Sequence, residues 1–281
     1  MRALIVFLLI AYGWSWGVGG IMYANGVTAG HDAFAPSMFA YMLGPLVGAL
    51  VAPKLVPTPG APGVGWKPAF EPRIWLLCWL VPILMVGAGF LLTVLLGPSE
   101  PHPDLQAALQ GEPQQPGLVG GLAIMLLVVI PLSNILATIG EEAGWRGYMW
   151  AQLRKRGMAV TVFTTGLFWG LWHLPAVYLG LSFPDTPLTG IFMMTCATIA
   201  ISYPMTVLRD RARSVWGSAL FHSTFNGVSA ATTAGLAVAT IPWTNMFGIG
   251  GIAAAVATGW VLERTLAVRD REGPEGALQV A

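Results

Sequence analysis

Between Arg73 and Glu100 the chain reads IWLLCWLVPILMVGAGFLLTVLLGPS, residues 74–99, without one charged side chain. A bilayer's hydrocarbon core needs about 20 apolar residues per helix, so this stretch is long enough to cross once. Outward from it, the sparse charges leave further uncharged windows at 3–30, 33–53, 113–140, 157–184, 186–208 and 214–262. The last can cross twice, with its natural break near Ile241-Pro242-Trp243-Thr244-Asn245. The reading is an all-α, polytopic membrane protein of about eight transmembrane helices. They are placed at 4–24, 35–54, 74–96, 118–140, 159–181, 187–208, 214–235 and 243–262.

Composition agrees. Of 281 residues, 55% are hydrophobic and 10% charged, and the mean hydropathy is +0.67. An ordinary soluble enzyme carries about 25% charged residues and is excluded. A net charge of +1 offers no basic surface, so no nucleic-acid partner is expected. Position matters more than number.

With the N-terminus inside, the cytoplasmic segments hold all 14 Lys and Arg residues, from Arg2 and Lys54 to Arg269 and Arg271. The opposite loops carry Asp32, Glu100, Asp104, Glu112 and Asp185 and no base. This is the positive-inside pattern, and it predicts a multi-pass protein of the cell membrane with both termini cytoplasmic. The first segment lacks a clear small-residue cleavage pair and is expected to stay as a helix. The domain reading is a single transmembrane unit over 1–263 with a cytoplasmic tail over 264–281. Cys78 and Cys196 are isolated and form no disulfide framework. Gly13 and Gly17, Gly44 and Gly48, and Gly166 and Gly170 have the four-residue spacing that lets membrane helices approach closely.

An ionisable group within a bilayer costs about 2.5 to 3.5 kcal/mol on insertion scales, which makes such groups functional candidates. Three clusters qualify. Glu141-Glu142-Ala143-Gly144-Trp145-Arg146 places Glu142 and Arg146 four residues apart, the spacing of a helical ion pair. Glu141 then has no partner in its own segment and is available as a general base. Taken alone, this cluster reads equally well as charges marking where a helix leaves the membrane. Trp169 and His173 share a helix face, as do His222 and Asn226. A histidine among aromatics is in most proteins a hydrogen-bonded core residue, and a His/Asn pair can simply join neighbouring helices. As a set, however, the clusters supply a base, two imidazoles and an amide donor, an inventory that suits peptide-bond hydrolysis.

The set resembles the motifs of the CPBP family of intramembrane proteases, the CAAX proteases and bacteriocin-processing proteins, also called the Abi family, whose eukaryotic relative is the Ras-converting CAAX prenyl endopeptidase. Its pattern of two glutamates, three residues and an arginine falls on Glu141, Glu142 and Arg146. Its aromatic-to-histidine pattern falls on Trp169 and His173, with tryptophan where the family usually has phenylalanine. Its histidine-to-asparagine pattern falls on His222 and Asn226. The resemblance covers about residues 118–230.

It implies an endopeptidase in which Glu141 and His173 activate water and His222 and Asn226 stabilise the oxyanion, with Glu142, Arg146 and Trp169 in support. The substrate would be a membrane-associated peptide or protein, including a lipidated one. No serine or cysteine stands at motif spacing, so no covalent intermediate is expected. A metal is left open. Glu141, His173 and His222 could form a catalytic zinc set, but the His-Glu-x-x-His helix is missing and Asn226 is a poor zinc ligand, so a metal-free, glutamate-dependent mechanism is preferred.

Charged catalysts also need water, which predicts a cavity open to the cytoplasm. For Glu141 to meet His173, the fourth helix has to continue past 140 or the fifth has to tilt. The competing reading is a non-catalytic immunity or scaffold protein that keeps the motifs for packing; a transporter is a weaker third.

Overall fold

The structure, a computed structural model, describes residues 1–58, 63–67, 71–97, 100–101, 124, 128–234, 236–238 and 245–272. It is all-α. In chain order come α1 (Arg2–Ala24), α2 (Phe34–Met42), α3 (Gly44–Leu55), α4 (Pro72–Leu96) and α5 (Ile130–Glu142). A π-helical segment (Ala143–Met149) continues α5 into α6 (Trp150–Leu153), followed by a 3-10 turn at Arg154–Arg156. Then come α7 (Met158–Trp172), α8 (Leu174–Tyr178), α9 (Pro187–Ala212), α10 (Val215–Ala234) and α11 (Ile249–Glu272). Among the described residues the extended structure is one short antiparallel contact of β1 (Glu100–Pro101) with β2 (Leu236–Val238).

Every expected span contains one of these helices. Among the described residues five units are long and apolar enough to cross a membrane: Arg2–Ala24, Phe34–Leu55, Pro72–Leu96, Met158–Tyr178 and Pro187–Ala212. Leu76, Leu84, Leu91 and Leu95 stay exposed along α4, an apolar face suited to lipid. Much of the expected fourth span, and the break at 241–244, lie outside the described residues. Several boundaries differ from expectation: the second and fifth spans each divide into two helices, α9 runs to Ala212 rather than 208, and α11 begins at Ile249 rather than 243. The fourth helix does not stop near 140 but runs on through the π segment, and the last continues past 262 to Glu272.

Proline sets the internal breaks. Pro45 and Pro175 stand at the second position of α3 and α8, where a missing N–H costs nothing, and each interrupts a span just before it, at Leu43 and at His173. His173 therefore sits at a helix junction.

Glycine sets the closest packing. A Cβ on Gly166 would lie 2.3 Å from Ile199 Cα, and one on Gly170 would lie 2.5 Å from Thr195 Cα, so α7 packs backbone to backbone on α9. Gly44 and Gly48 likewise meet Ser15 and Phe7, joining α3 to α1. A Cβ added at Gly13 or Gly17 would meet nothing within 4 Å among the described residues, so this expected pair makes no close approach there. Gly13 borders an apolar groove of about 400 Å3 between α1 and α7, with Leu8, Tyr12 and Phe168 among its walls. Elsewhere polar side chains join helices: Thr138 Oγ1 donates to the Ala219 carbonyl at 3.1 Å, and Ser223 donates to the Pro131 carbonyl, tying α5 to α10.

Candidate active site

The three clusters meet. Glu141, Glu142, Arg146 and His222 are 3%, 0%, 1% and 4% exposed, although all four are ionisable. Groups so far from water have to satisfy one another; they do so in part, since Glu142 Oε2 and Arg146 Nε have no hydrogen-bond partner among the described residues. Arg146 Nη1 donates to Glu142 Oε1 at 3.0 Å, and His222 Nδ1 meets the same oxygen at 2.9 Å. Arg146 Nη2 donates to Ser202 Oγ at 3.0 Å. Glu142 is thus the shared anion of a cation and an imidazole drawn from different helices. The expected Glu142–Arg146 pair is present, and His222 joins it.

Glu141 stands apart from that network, as its position one residue away requires. Its Oε2 accepts the indole N–H of Trp169 at 2.7 Å. The Arg146 guanidinium lies over the same indole, 4.2 Å from its centroid. His222 meets the ring edge-on at 5.2 Å between centroids, and the His173 ring lies 5.8 Å away. His173 Nδ1 donates to the Trp169 carbonyl at 2.8 Å, which leaves the lone pair of the neutral ring on Nε2. His173 and Asn226 are half-buried and so are more exposed than the other motif residues, which are buried.

Local structure explains the placement. All seven residues of the π segment are buried. Gly144 admits Pro45 of α3, whose Cβ would lie 2.4 Å from an added Cβ, and Gly147 admits Val64 at 2.5 Å. A wider π turn disturbs the usual backbone ladder, and such turns recur at functional sites. Here Arg209 Nε donates to the Arg146 carbonyl at 2.9 Å while its Nη2 donates to the Val64 carbonyl at 3.1 Å.

The end of α7 is held by a second set of donors. A helix leaves its last carbonyls without intrahelical partners. His173 takes that of Trp169 through its ring and that of Gly170 through its own N–H at 3.0 Å. Tyr41 donates to the Trp172 carbonyl, as does Trp16 Nε1 at 3.2 Å, and Tyr12 donates to Phe168 at 2.5 Å.

Ser202, Arg209 and Tyr41 are the contributors that sequence reading missed. Hydroxyls in apolar helices are too common to single out. Arg209 was counted with the topology-setting bases, although it is 2% exposed and packs over the Trp150 ring at 4.3 Å.

Among the described residues no three His, Cys, Asp or Glu side chains gather as a metal-binding group. Nδ1 of His173 is bonded to the Trp169 carbonyl and Nδ1 of His222 to Glu142, which leaves Nε2 as the open nitrogen of each ring.

Fold and site together define a polytopic helical membrane protein with a buried glutamate, histidine and arginine centre. Comparison with known proteins narrows this. Residues 123–228 match the family described as type II CAAX prenyl endopeptidase, Rce1-like, and all three clusters fall inside that segment. A 50-residue stretch is 38% identical to CAAX prenyl protease 2 of Methanococcus maripaludis, covering 17% of this chain and 18% of that protein. The chain thus matches under a fifth of that curated relative's length. Through this central segment the chain is similar to the CAAX protease family.

Proposed function

We propose that the protein is an intramembrane endopeptidase of the CAAX type, hydrolysing a peptide bond near the end of a membrane-associated, prenylated peptide or protein. The observation that carries this reading is the pairing of two adjacent glutamates with different partners. Glu142 is neutralised by Arg146 and His222, whereas among the described residues Glu141 has a neutral indole as its hydrogen-bond donor, on Oε2. A carboxylate that no cation engages through a direct hydrogen bond retains its capacity to take a proton.

In this mechanism Glu141, aided by His173, removes a proton from water as its oxygen attacks the scissile carbonyl carbon. His222 holds its Nδ1 proton against Glu142, and with a second proton on Nε2 it donates, together with the Asn226 amide, to the developing oxyanion. Preorganised donors in a water-poor site stabilise such charge strongly. The proton on Glu141 then passes to the leaving nitrogen as the C–N bond breaks. No covalent enzyme intermediate and no metal step is needed. Water enters from the cytoplasmic side, past His173 and Asn226. The catalytic domain spans 1–263, with 264–281 following as a tail, and both termini are cytoplasmic.

The test is cleavage of a quenched fluorogenic farnesylated peptide ending in a CAAX sequence by the purified chain in detergent. The wild type cleaves it, and Glu141→Gln, with an unchanged melting temperature, loses at least about 1,000-fold in kcat, above the usual 10²–10⁴ range's lower end for a lost general base. A wild type that leaves the peptide intact, or a Glu141→Gln variant as fast as wild type, overturns the reading. The latter result favours a scaffold that keeps the motifs for packing.

A further inference from the structure

Trp169 touches Glu141, Arg146, His173 and His222, each through a different part of itself. Its N–H donates to Glu141 Oε2 at 2.7 Å. One ring face carries the Arg146 guanidinium at 4.2 Å. Its edge meets His222 at 5.2 Å with the planes 78° apart. Its carbonyl takes the Nδ1 proton of His173 at 2.8 Å. At 3% exposure the indole is walled in. With a cation over one face and an imidazole at its edge, the ring cannot turn without losing both contacts, so the direction of its N–H is fixed.

The chemistry of that bond is one-sided. An indole nitrogen donates and never accepts, so it engages a lone pair of Glu141 Oε2 and favours the proton on the other oxygen. A filler aromatic in a core needs no such donor, and a phenylalanine would serve that purpose. We infer that Trp169 is the positioning residue of the site: its N–H holds Oε2 of Glu141 so that Oε1 receives the proton of the attacking water, while its carbonyl keeps the His173 lone pair on Nε2. One residue thereby selects the working oxygen of the base and the working nitrogen of its partner. The inference rests on the proposed role of Glu141 as base.

It is tested on the full chain in detergent with the farnesylated CAAX peptide, in three variants. Trp169→Phe keeps a ring and removes the N–H. Trp169 replaced by benzothienylalanine keeps the indole shape and removes only the N–H. Trp169 replaced by 5-fluorotryptophan keeps the N–H. The first two lower kcat by about 10- to 100-fold, the scale of a misplaced catalytic group, with KM within twofold of wild type; the third retains wild-type kcat. A benzothienylalanine variant with wild-type kcat overturns the inference.

An independent arm reads the bond without activity. The indole N–H cross-peak of Trp169, assigned by its disappearance in Trp169→Phe, shifts when Glu141 becomes Ala. A cross-peak indifferent to Glu141→Ala overturns the inference as well. Wild-type cleavage by Glu141→Gln overturns instead the base assignment, and the cross-peak distinguishes that failure from this one.

Discussion

Residues 141–149 and residues 168–173 face the same difficulty, polar groups in a part of the chain from which lipid excludes water, and answer it in opposite ways. The first region pairs charges with one another: Glu142 with Arg146 and His222, and Arg146 with Ser202. The second pairs neutral donors with backbone carbonyls: Tyr12 with Phe168, Tyr41 and Trp16 with Trp172, and His173 with Trp169. The difference lies in what a broken contact leaves behind. In the first region it leaves a buried charge, and in the second a carbonyl that a neighbour can still reach.

Arg146→Ala is the strongest way to break the first region. It strips a fully buried carboxylate of its cation, a loss worth about 3–5 kcal/mol for buried pairs. Thermal unfolding in detergent is expected to fall steeply, and the Glu142→Gln/Arg146→Met double variant should recover part of the loss because it buries no net charge. Melting of Arg146→Ala within a degree of wild type would show that the pair does not hold this region.

Gly166→Ala comes next and strikes the second region from outside. The added Cβ would lie 2.3 Å from Ile199 Cα and 2.8 Å from the Thr198 carbonyl, backbone atoms that cannot swing aside. Overpacking of this kind costs about 1–3 kcal/mol. It also displaces α7 and with it Trp169 and His173, so cleavage should fall together with stability. Gly17→Ala, which meets nothing within 4 Å, is the matched control and should leave both unchanged.

Much of this arrangement was legible before any coordinates. Lipid excludes charge, so the gaps between charged residues located the helices directly, and the three motifs contain Glu141, Glu142, Arg146, Trp169, His173 and His222, which the structure brings together. The same rule misplaced the end of the fourth helix. Taken alone, Glu141, Glu142 and Arg146 read equally well as an exit from the membrane, because their partners His222, Ser202 and Trp169 lie on other helices, at sequence distances no local pattern shows. The glycine pairs divided for a similar reason: spacing says that a helix can be approached, and only the neighbouring helix decides whether it is. Trp169 was visible as an aromatic, but the use of its N–H depended on where Glu141 pointed.

The smallest expected effects lie in the second region, and their combination is the sharper test. Tyr41→Phe removes one donor from the Trp172 carbonyl and should cost about 1 kcal/mol, the usual net value of a single hydrogen bond, with a modest loss of kcat as the helix end bearing His173 loosens. Trp16→Phe removes the other donor, a longer bond at 3.2 Å from a side chain that is 40% exposed, and should be nearly silent. The two are not independent, because each donor covers for the other on one oxygen. The double variant leaves that carbonyl with neither side-chain donor, so its loss should exceed the sum of the singles by at least about 0.5 kcal/mol, the lower range for contacting residues. Strict additivity in a melting series of the four proteins would mean that the carbonyl is satisfied from elsewhere and that the end of α7 does not depend on α1 and α2.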